Sequence, residues 1–130
     1  MKSIATPVLI ATLAFNLNAA IAGDTLNLVG SEWGTETKLE QFLRFESDGS
    51  VTGHAGCNRF FGTYQMFGKQ LRFGAMGSTK KLCEPKSMKA ERRFFQILKK
   101  TASAYRFRHR LRLYDASGAE LVRLWQRDWD

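Results

Sequence analysis

The sequence predicts a small α+β domain, mostly antiparallel β, in which a curled or barrel-like sheet packs against one amphipathic helix. Short segments in which apolar and polar residues alternate are separated by glycine-containing turns along most of the chain, a pattern typical of β hairpins. Only one stretch has the 3.6-residue period of an amphipathic helix. With 130 residues, the chain is long enough for one domain.

Residues 1–22 are predicted to be a signal peptide. A lysine precedes the apolar run Val8–Phe15, and Ala20–Ala22 has the small-x-small pattern that signal peptidase recognises. The apolar run is too short to cross a bilayer, so no transmembrane segment is expected. We expect a periplasmic domain over residues 23–130, without a lipid anchor because the first cysteine is Cys57.

Five strands are predicted before the helix. Asp48-Gly49 and Gly68-Lys69 are turn sequences between alternating segments, and each predicts a hairpin. A tryptophan at the end of the first segment is expected to pack into the core. The five predicted strands are Leu26–Trp33, Leu39–Glu46, Ser50–Gly53, Thr63–Phe67 and Gln70–Phe73.

The segment Glu84–Lys100 is predicted to form the helix. Pro85 suits its first turn, and the basic pair Lys99-Lys100 complements the helix dipole at its end. On a helical wheel one half is apolar and the other is almost wholly basic. The apolar half contains Met88, Ala90, Phe94, Phe95, Ile97 and Leu98, and the polar half contains Lys89, Arg92, Arg93, Gln96, Lys99 and Lys100.

After the helix, Ala104–Tyr114 alternates between apolar residues and arginines. As one extended strand it would carry four arginines on one face. We predict instead a tight turn near His109-Arg110, which makes two antiparallel strands and gathers the arginines at the hairpin. Ala116-Ser117-Gly118 is the next predicted turn, and Glu120–Gln126 is the last strand.

The segment Gly53–Pro85 holds both cysteines and six of the eleven glycines. Two cysteines in an oxidising compartment usually pair. A Cys57–Cys83 disulfide would close a loop of roughly 27 residues and stabilise the fold by about 3.5 kcal/mol. The alternative is a pair of buried free thiols, because spacing in the sequence does not report the separation of the two Cα atoms.

The run Gly56–Tyr64, GCNRFFGTY, resembles the META domain family, to which HslJ-type heat-shock proteins belong. The resemblance covers nearly the whole mature chain. It implies a small antiparallel β fold with one helix, exported in bacteria and often linked to stress or to tolerance of envelope antibiotics, with no catalytic residues and no cofactor. Further matching positions are Leu28–Trp33, Leu71–Gly74, Met76–Thr79, Cys83, Met88, Glu91, Phe95, Leu98, Leu111–Leu113 and Ser117-Gly118.

Glu91 is the most informative charged residue, because it lies in the middle of the apolar half of the helix. A lone carboxylate there would cost several kcal/mol, so it requires a partner. Arg59 and the hydroxyl groups of Ser78 and Thr79 are the candidates. Glu91 could be a binding or catalytic carboxylate, and the alternative is a structural tie between the helix and the turn at Cys57.

Asn58 and Arg59 are a second candidate site. Exposed turn amides and a guanidinium could bind an anion there. The alternative is that Asn58, between glycines Gly56 and Gly62, serves a left-handed turn. Both interpretations make this run part of the structural motif formed by Gly56, Asn58, Arg59, Gly62, Ser78, Thr79 and Glu91.

The chain carries 20 Lys and Arg against 12 Asp and Glu, a net charge of +8. This balance favours anionic partners, either an envelope component such as lipopolysaccharide or lipid headgroups, or an acidic protein. Nucleic acid is not expected in the periplasm. The candidate anion-binding residues are Arg106, Arg108, Arg110, Arg112, Lys89, Arg92 and Arg93, near the aromatic residues Tyr105, Phe107 and Tyr114. The alternative is a solvated, solubilising charge.

No enzyme is predicted, and no metal site or cofactor. His54 and His109 are the only histidines and have no acidic or cysteine cluster at ligand spacing. Gly74–Lys80 differs from a phosphate-binding loop, since its lysine follows the hydroxyl residues. The leading hypothesis is a non-catalytic exported domain in envelope stress that binds an anionic component. The alternative is a lipocalin-like or inhibitor-like module that captures a small apolar ligand or a protease.

Overall fold

The computed structural model describes residues 26–127, and the predicted signal peptide lies outside them. Within residues 26–127, eight strands and one helix succeed one another. They are β1 (Glu32–Gly34), β2 (Gln41–Phe45), β3 (Ser50–Ala55), β4 (Arg59–Phe67), β5 (Gln70–Ser78), α1 (Pro85–Lys100), β6 (Ser103–Phe107), β7 (Arg110–Tyr114) and β8 (Glu120–Gln126). Within this part of the chain no helix is both long enough and apolar enough to span a bilayer.

The strands form one antiparallel sheet that closes into a ring. Each strand pairs with the next, and β8 returns to β1, where Trp33 is opposite Gln126. The ring is not a regular barrel, because β5 and β6 share a single residue pair, Gln70 and Ser103. The predicted fold class, a curled antiparallel sheet with one helix, is confirmed.

The core lies inside the ring and beneath the helix. Period-two alternation directs one side of each strand inward, as in β2, where Gln41, Leu43 and Phe45 are buried. The helix adds Phe94 and Leu98 from its apolar side. The largest buried side chains are Trp33, Phe45, Leu28, Leu43, Leu71, Leu98, Leu111, Leu113, Leu124 and Val51, together with Phe60 and Phe94 at 2% exposure.

The prediction of a first strand over Leu26–Trp33 is wrong. Leu26 and Leu28 are buried as expected, but the chain turns at Gly30, whose φ is +79°, and the strand begins only at Glu32. Glycine tolerates a positive φ, and a residue with a positive φ ends the extended conformation of the chain. The two leucines therefore enter the core from an irregular segment.

Strands β4 and β5 are both longer than predicted and run through the glycine-rich segment. Their register shifts between Gly62 and Tyr64, which marks a bulge. A Cβ on Gly62 would lie 2.5 Å from Met76 Sδ and 2.8 Å from the Ala75 carbonyl oxygen. Glycine is required here because the neighbouring strand approaches too closely for any side chain.

Two β turns are held by aspartates. Asp48 Oδ1 accepts hydrogen bonds from the Ser50 amide at 2.9 Å and its hydroxyl at 2.6 Å. Asp115 Oδ1 does the same with Ser117, at 2.9 and 2.7 Å. The serine hydroxyl bond is the main reason that the pKa of each aspartate lies below its ordinary value. Both turns are thus fixed by their own side chains.

The C-terminal half follows the prediction closely. The helix begins at Pro85, with Glu84 as its N-cap residue, and ends at Lys100. The arginine-rich segment forms two antiparallel strands, but their turn is at Arg108-His109, one residue earlier than predicted. Arg108 adopts a φ of +57° to make this turn. Strand β8 has the predicted bounds.

Candidate functional site

The turn Gly56–Asn58, which we call the Cys57 turn, joins β3 to β4. Gly56 has a φ of +118°, which only glycine adopts readily. Cys57 forms the predicted disulfide with Cys83, and their Cα atoms are 6.0 Å apart. The disulfide therefore links this turn to the segment that enters the helix.

Glu91 provides a second link between the helix and the Cys57 turn. Its side chain is 5% exposed. Its Oε1 accepts hydrogen bonds from the amides of Cys57, at 3.2 Å, and Asn58, at 2.6 Å. Its Oε2 accepts one from Asn58 Nδ2 at 2.8 Å. Three donors from a single turn thus satisfy the buried carboxylate.

A partner for Glu91 was expected among Arg59, Ser78 and Thr79, and this expectation is wrong. Arg59 is exposed, and its backbone amide bonds to Thr79 Oγ1 at 3.2 Å. Sequence reasoning considered side chains, whereas two of the three donors are backbone N–H groups. Thr79 is connected to Glu91 only through Asn58, because its hydroxyl donates to Asn58 Oδ1 at 2.9 Å.

Asn58 connects three segments. Besides Glu91 and Thr79, its side chain contacts Lys81, whose amide donates to Oδ1 at 2.6 Å and whose carbonyl accepts from Nδ2 at 3.2 Å. The turn amides that an anion would need are already bonded to Glu91. These contacts favour the structural interpretation of Asn58 and Glu91.

The arginine hairpin, β6 and β7, does not present its four arginines on one face. Arg106 is opposite Leu111, a core residue, and so lies on the inner side of the hairpin. It donates to the Asn27 carbonyl at 3.0 Å and to Gln126 Oε1 at 3.2 Å, and it stacks 5.0 Å from the Trp33 ring. Arg106 therefore serves to close this end of the ring.

The outer side of β6, β7 and β8 carries arginines and aromatic residues in two cross-strand rows. Residues directly opposite in antiparallel strands share a face. The first row is Tyr105, Arg112 and Arg123, and the second is Phe107, Arg110 and Trp125. We call these six residues the arginine–aromatic face. Tyr105 and Phe107 are 46% and 58% exposed.

The basic side of the helix lies next to this face. A shallow groove of about 610 Å³ separates α1 from the start of β8. Its charged residues are Lys89, Arg92, Arg93, Lys100 and Glu120; we call its four cations the basic helix face. Glu120 also pairs with Arg123 at 2.9 Å and with Arg112 at 3.7 Å. Through Glu120, the two basic regions meet in one surface.

Sequence reasoning identified the arginines and the helix cations but missed the part played by Glu120 and Trp125. Nothing in the sequence places Glu120 between the helix and β7, because that neighbourhood depends on how α1 crosses the sheet. The cross-strand rows could have been found from the hairpin register. A two-residue turn places Arg106 on the face opposite Arg110 and Arg112 whether it falls at 108–109 or at 109–110, because moving it by one residue shifts the register by two.

Among residues 26–127, no group of three or more His, Cys, Asp or Glu side chains could hold a metal ion, and both cysteines are in the disulfide. His54 instead bonds to the Glu40 carbonyl at 2.8 Å, and His109 lies 3.3 Å from Gln126 Oε1.

Comparison with known proteins agrees with the fold and with the GCNR run. The family model described as "META domain" matches residues 19–128. The chain belongs to the META domain family. A comparison with curated proteins gave no match.

Two solved structures resemble this META domain. An NMR structure of a protein from Burkholderia xenovorans aligns with a TM-score of 0.66 and 18% identity, covering 99% of this chain and 100% of that one. A crystal structure of a DUF4847 family protein from Bacteroides vulgatus aligns with a TM-score of 0.55 and 17% identity, covering 70% of this META domain and 62% of that chain. At these identities the likeness concerns the fold alone.

Proposed function

We propose that this META domain is an exported, non-catalytic binding domain that contributes to envelope stress tolerance by binding phosphate-bearing lipid headgroups. The observation that carries the proposal is the single surface formed by the basic helix face and the arginine–aromatic face. The disulfide is compatible with an oxidising compartment outside the cytoplasm.

The chemistry of this surface suits phosphate groups. Guanidinium groups bind phosphate oxygens through paired N–H donors. Five arginines lie on this surface, namely Arg92, Arg93, Arg110, Arg112 and Arg123, of which the last two also pair with Glu120. Exposed aromatic rings such as Tyr105 and Phe107 suit the boundary between headgroups and acyl chains. A merely solubilising charge does not require aromatic residues beside the cations.

Replacing Arg92 and Arg110 with alanine together is expected to weaken binding to phosphatidylglycerol-containing vesicles by about thirtyfold. Each basic residue near an anionic membrane contributes about 1 kcal/mol. One of the two arginines is on each part of the surface, so both parts are tested at once. Vesicle co-sedimentation measures the affinity, and it should also fall steeply as ionic strength rises.

The matched control replaces Lys38 and Lys80 with alanine and so removes the same charge. Both lysines are exposed and lie outside this surface. The control should bind almost as the unmodified protein does. Equal loss in both double variants would show that net charge alone drives adsorption. Absence of vesicle binding, with retention of the domain by an acidic protein, would assign the surface to a protein partner.

A further inference from the structure

The ring has a seam between β5 and β6. Beside the Gln70–Ser103 pair, the Leu71 amide donates to the Ala102 carbonyl at 3.1 Å. Beyond that point β5 continues to Ser78 without a strand on this side in the described part of the chain. The chain leaves β5 at Ser78 and β6 pairs back at Gln70, so the helix between them runs antiparallel to β5 and occupies the place of a strand. Side chains face each other there across a gap.

This gap is a cleft of about 540 Å³, within the range of small-molecule sites. Its floor is apolar. Leu98 is 1% exposed, and Phe73, Met76 and Phe95 pack against the core while remaining partly accessible. Gly74, Ala75, Ser78 and Lys99 complete the lining. The cleft is therefore a mostly apolar site that also contains the polar side chains of Ser78 and Lys99.

The polar groups lie at opposite ends of the cleft. Ser78 ends β5, while Lys99 is in the last turn of α1, and the helix is antiparallel to the strand. No carboxylate in residues 26–127 forms an ion pair with the Lys99 amine. An apolar cleft with a cation at one end is complementary to an alkyl chain that ends in an anion.

We infer that the cleft between β5 and α1 binds a free fatty acid, with its alkyl chain against Phe73, Met76 and Phe95 and its carboxylate at Lys99. A protein partner is a poorer fit, because stable protein interfaces bury about 800 Å² per partner and this cleft is lined by eight residues. The site goes beyond the proposed lipid-headgroup surface and shares no residue with it.

Affinity is expected to depend on chain length. Titration calorimetry with octanoate, decanoate and dodecanoate, each below its micelle concentration, should show saturable binding with one ligand per domain. Each added methylene should tighten binding by about fourfold until the cleft is full. High salt should change this affinity little, whereas vesicle binding should weaken, so the two functions can fail separately.

Variants locate the ligand. Ala75→Trp, at an exposed position that lines the cleft, should abolish dodecanoate binding by filling the mouth. Lys99→Ala should weaken dodecanoate up to about fivefold but leave dodecanol unchanged. Lys100→Ala is the matched control, since this neighbouring lysine lines the other groove. Circular dichroism checks that each variant is folded.

Several results would overturn the assignment. These are no saturable binding of any fatty acid, unchanged dodecanoate binding by folded Ala75→Trp, or equal weakening by Lys99→Ala and Lys100→Ala. Tighter binding of an extended apolar peptide than of dodecanoate would give the cleft to a protein segment instead.

Discussion

Replacing Glu91 with glutamine is expected to lower the free energy of unfolding by about 3 kcal/mol, because hydrogen bonds to a charged group are worth more than neutral ones and an unmatched buried donor is costly. Glutamine keeps the shape of the side chain but offers one acceptor oxygen to three donors and turns its own NH₂ toward them. Thermal unfolding should show a melting temperature lower by roughly 15 °C.

A double-mutant cycle identifies the partner. Glu91→Gln and Asn58→Ala remove parts of one network, so their effects should be non-additive by about 1–2 kcal/mol. Glu91→Gln with Arg59→Ala is the control and should be additive within about 0.5 kcal/mol. Additivity with Asn58→Ala, or coupling with Arg59→Ala, would contradict the hydrogen bonds described for Glu91.

Replacing both Cys57 and Cys83 with alanine is expected to cost about 3.5 kcal/mol, from the loop-entropy estimate for a sequence separation of 26 residues. This is a large share of the ~5–15 kcal/mol that stabilises an ordinary domain. The loop 57–83 contains β4 and β5, the two longest of the eight strands. The loss of stability should appear in denaturant titrations as a lower midpoint.

Reductant provides the matched comparison. It should destabilise the unmodified protein to about the level of the double variant and have no effect on the variant itself. A reductant-insensitive unmodified protein would show that the two thiols are not bridged in solution, and the helix would then be tied to the Cys57 turn through Glu91 alone.

The regular elements could be predicted because their side-chain periods are local properties of the sequence. The helix Pro85–Lys100 follows from a wheel with one apolar half, and β8 follows from alternation after a clear turn. The predicted first strand is wrong because the alternation of apolar residues at Leu26 and Leu28 does not by itself require an extended backbone. Leucines can reach a core from irregular chain, and Gly30 turns the chain before pairing begins.

The long-range contacts could be predicted only in part. A buried carboxylate in the helix predicts a hydrogen-bonding partner. Every residue except proline has a backbone amide, so the sequence does not single out the amides of Cys57 and Asn58 as the donors. The separation of Arg106 from Arg110 and Arg112 depends on the turn having two residues, which the alternation of apolar residues and arginines does not specify. The cleft exists because β6 pairs with β5 only at Gln70 and Ser103. The extent of this pairing depends on both strands and on the helix between them, so no single segment of the sequence predicts it.

The proposed function depends on where the positive charges lie, and a pair of single variants tests this directly. Glu120→Gln removes the acid that joins the basic helix face to the arginine–aromatic face, whereas Glu36→Gln removes an equal charge from the exposed β1–β2 loop. Affinity for phosphatidylglycerol-containing vesicles should rise about fivefold for Glu120→Gln and stay unchanged for Glu36→Gln. Equal affinities for the two variants would contradict the proposed surface.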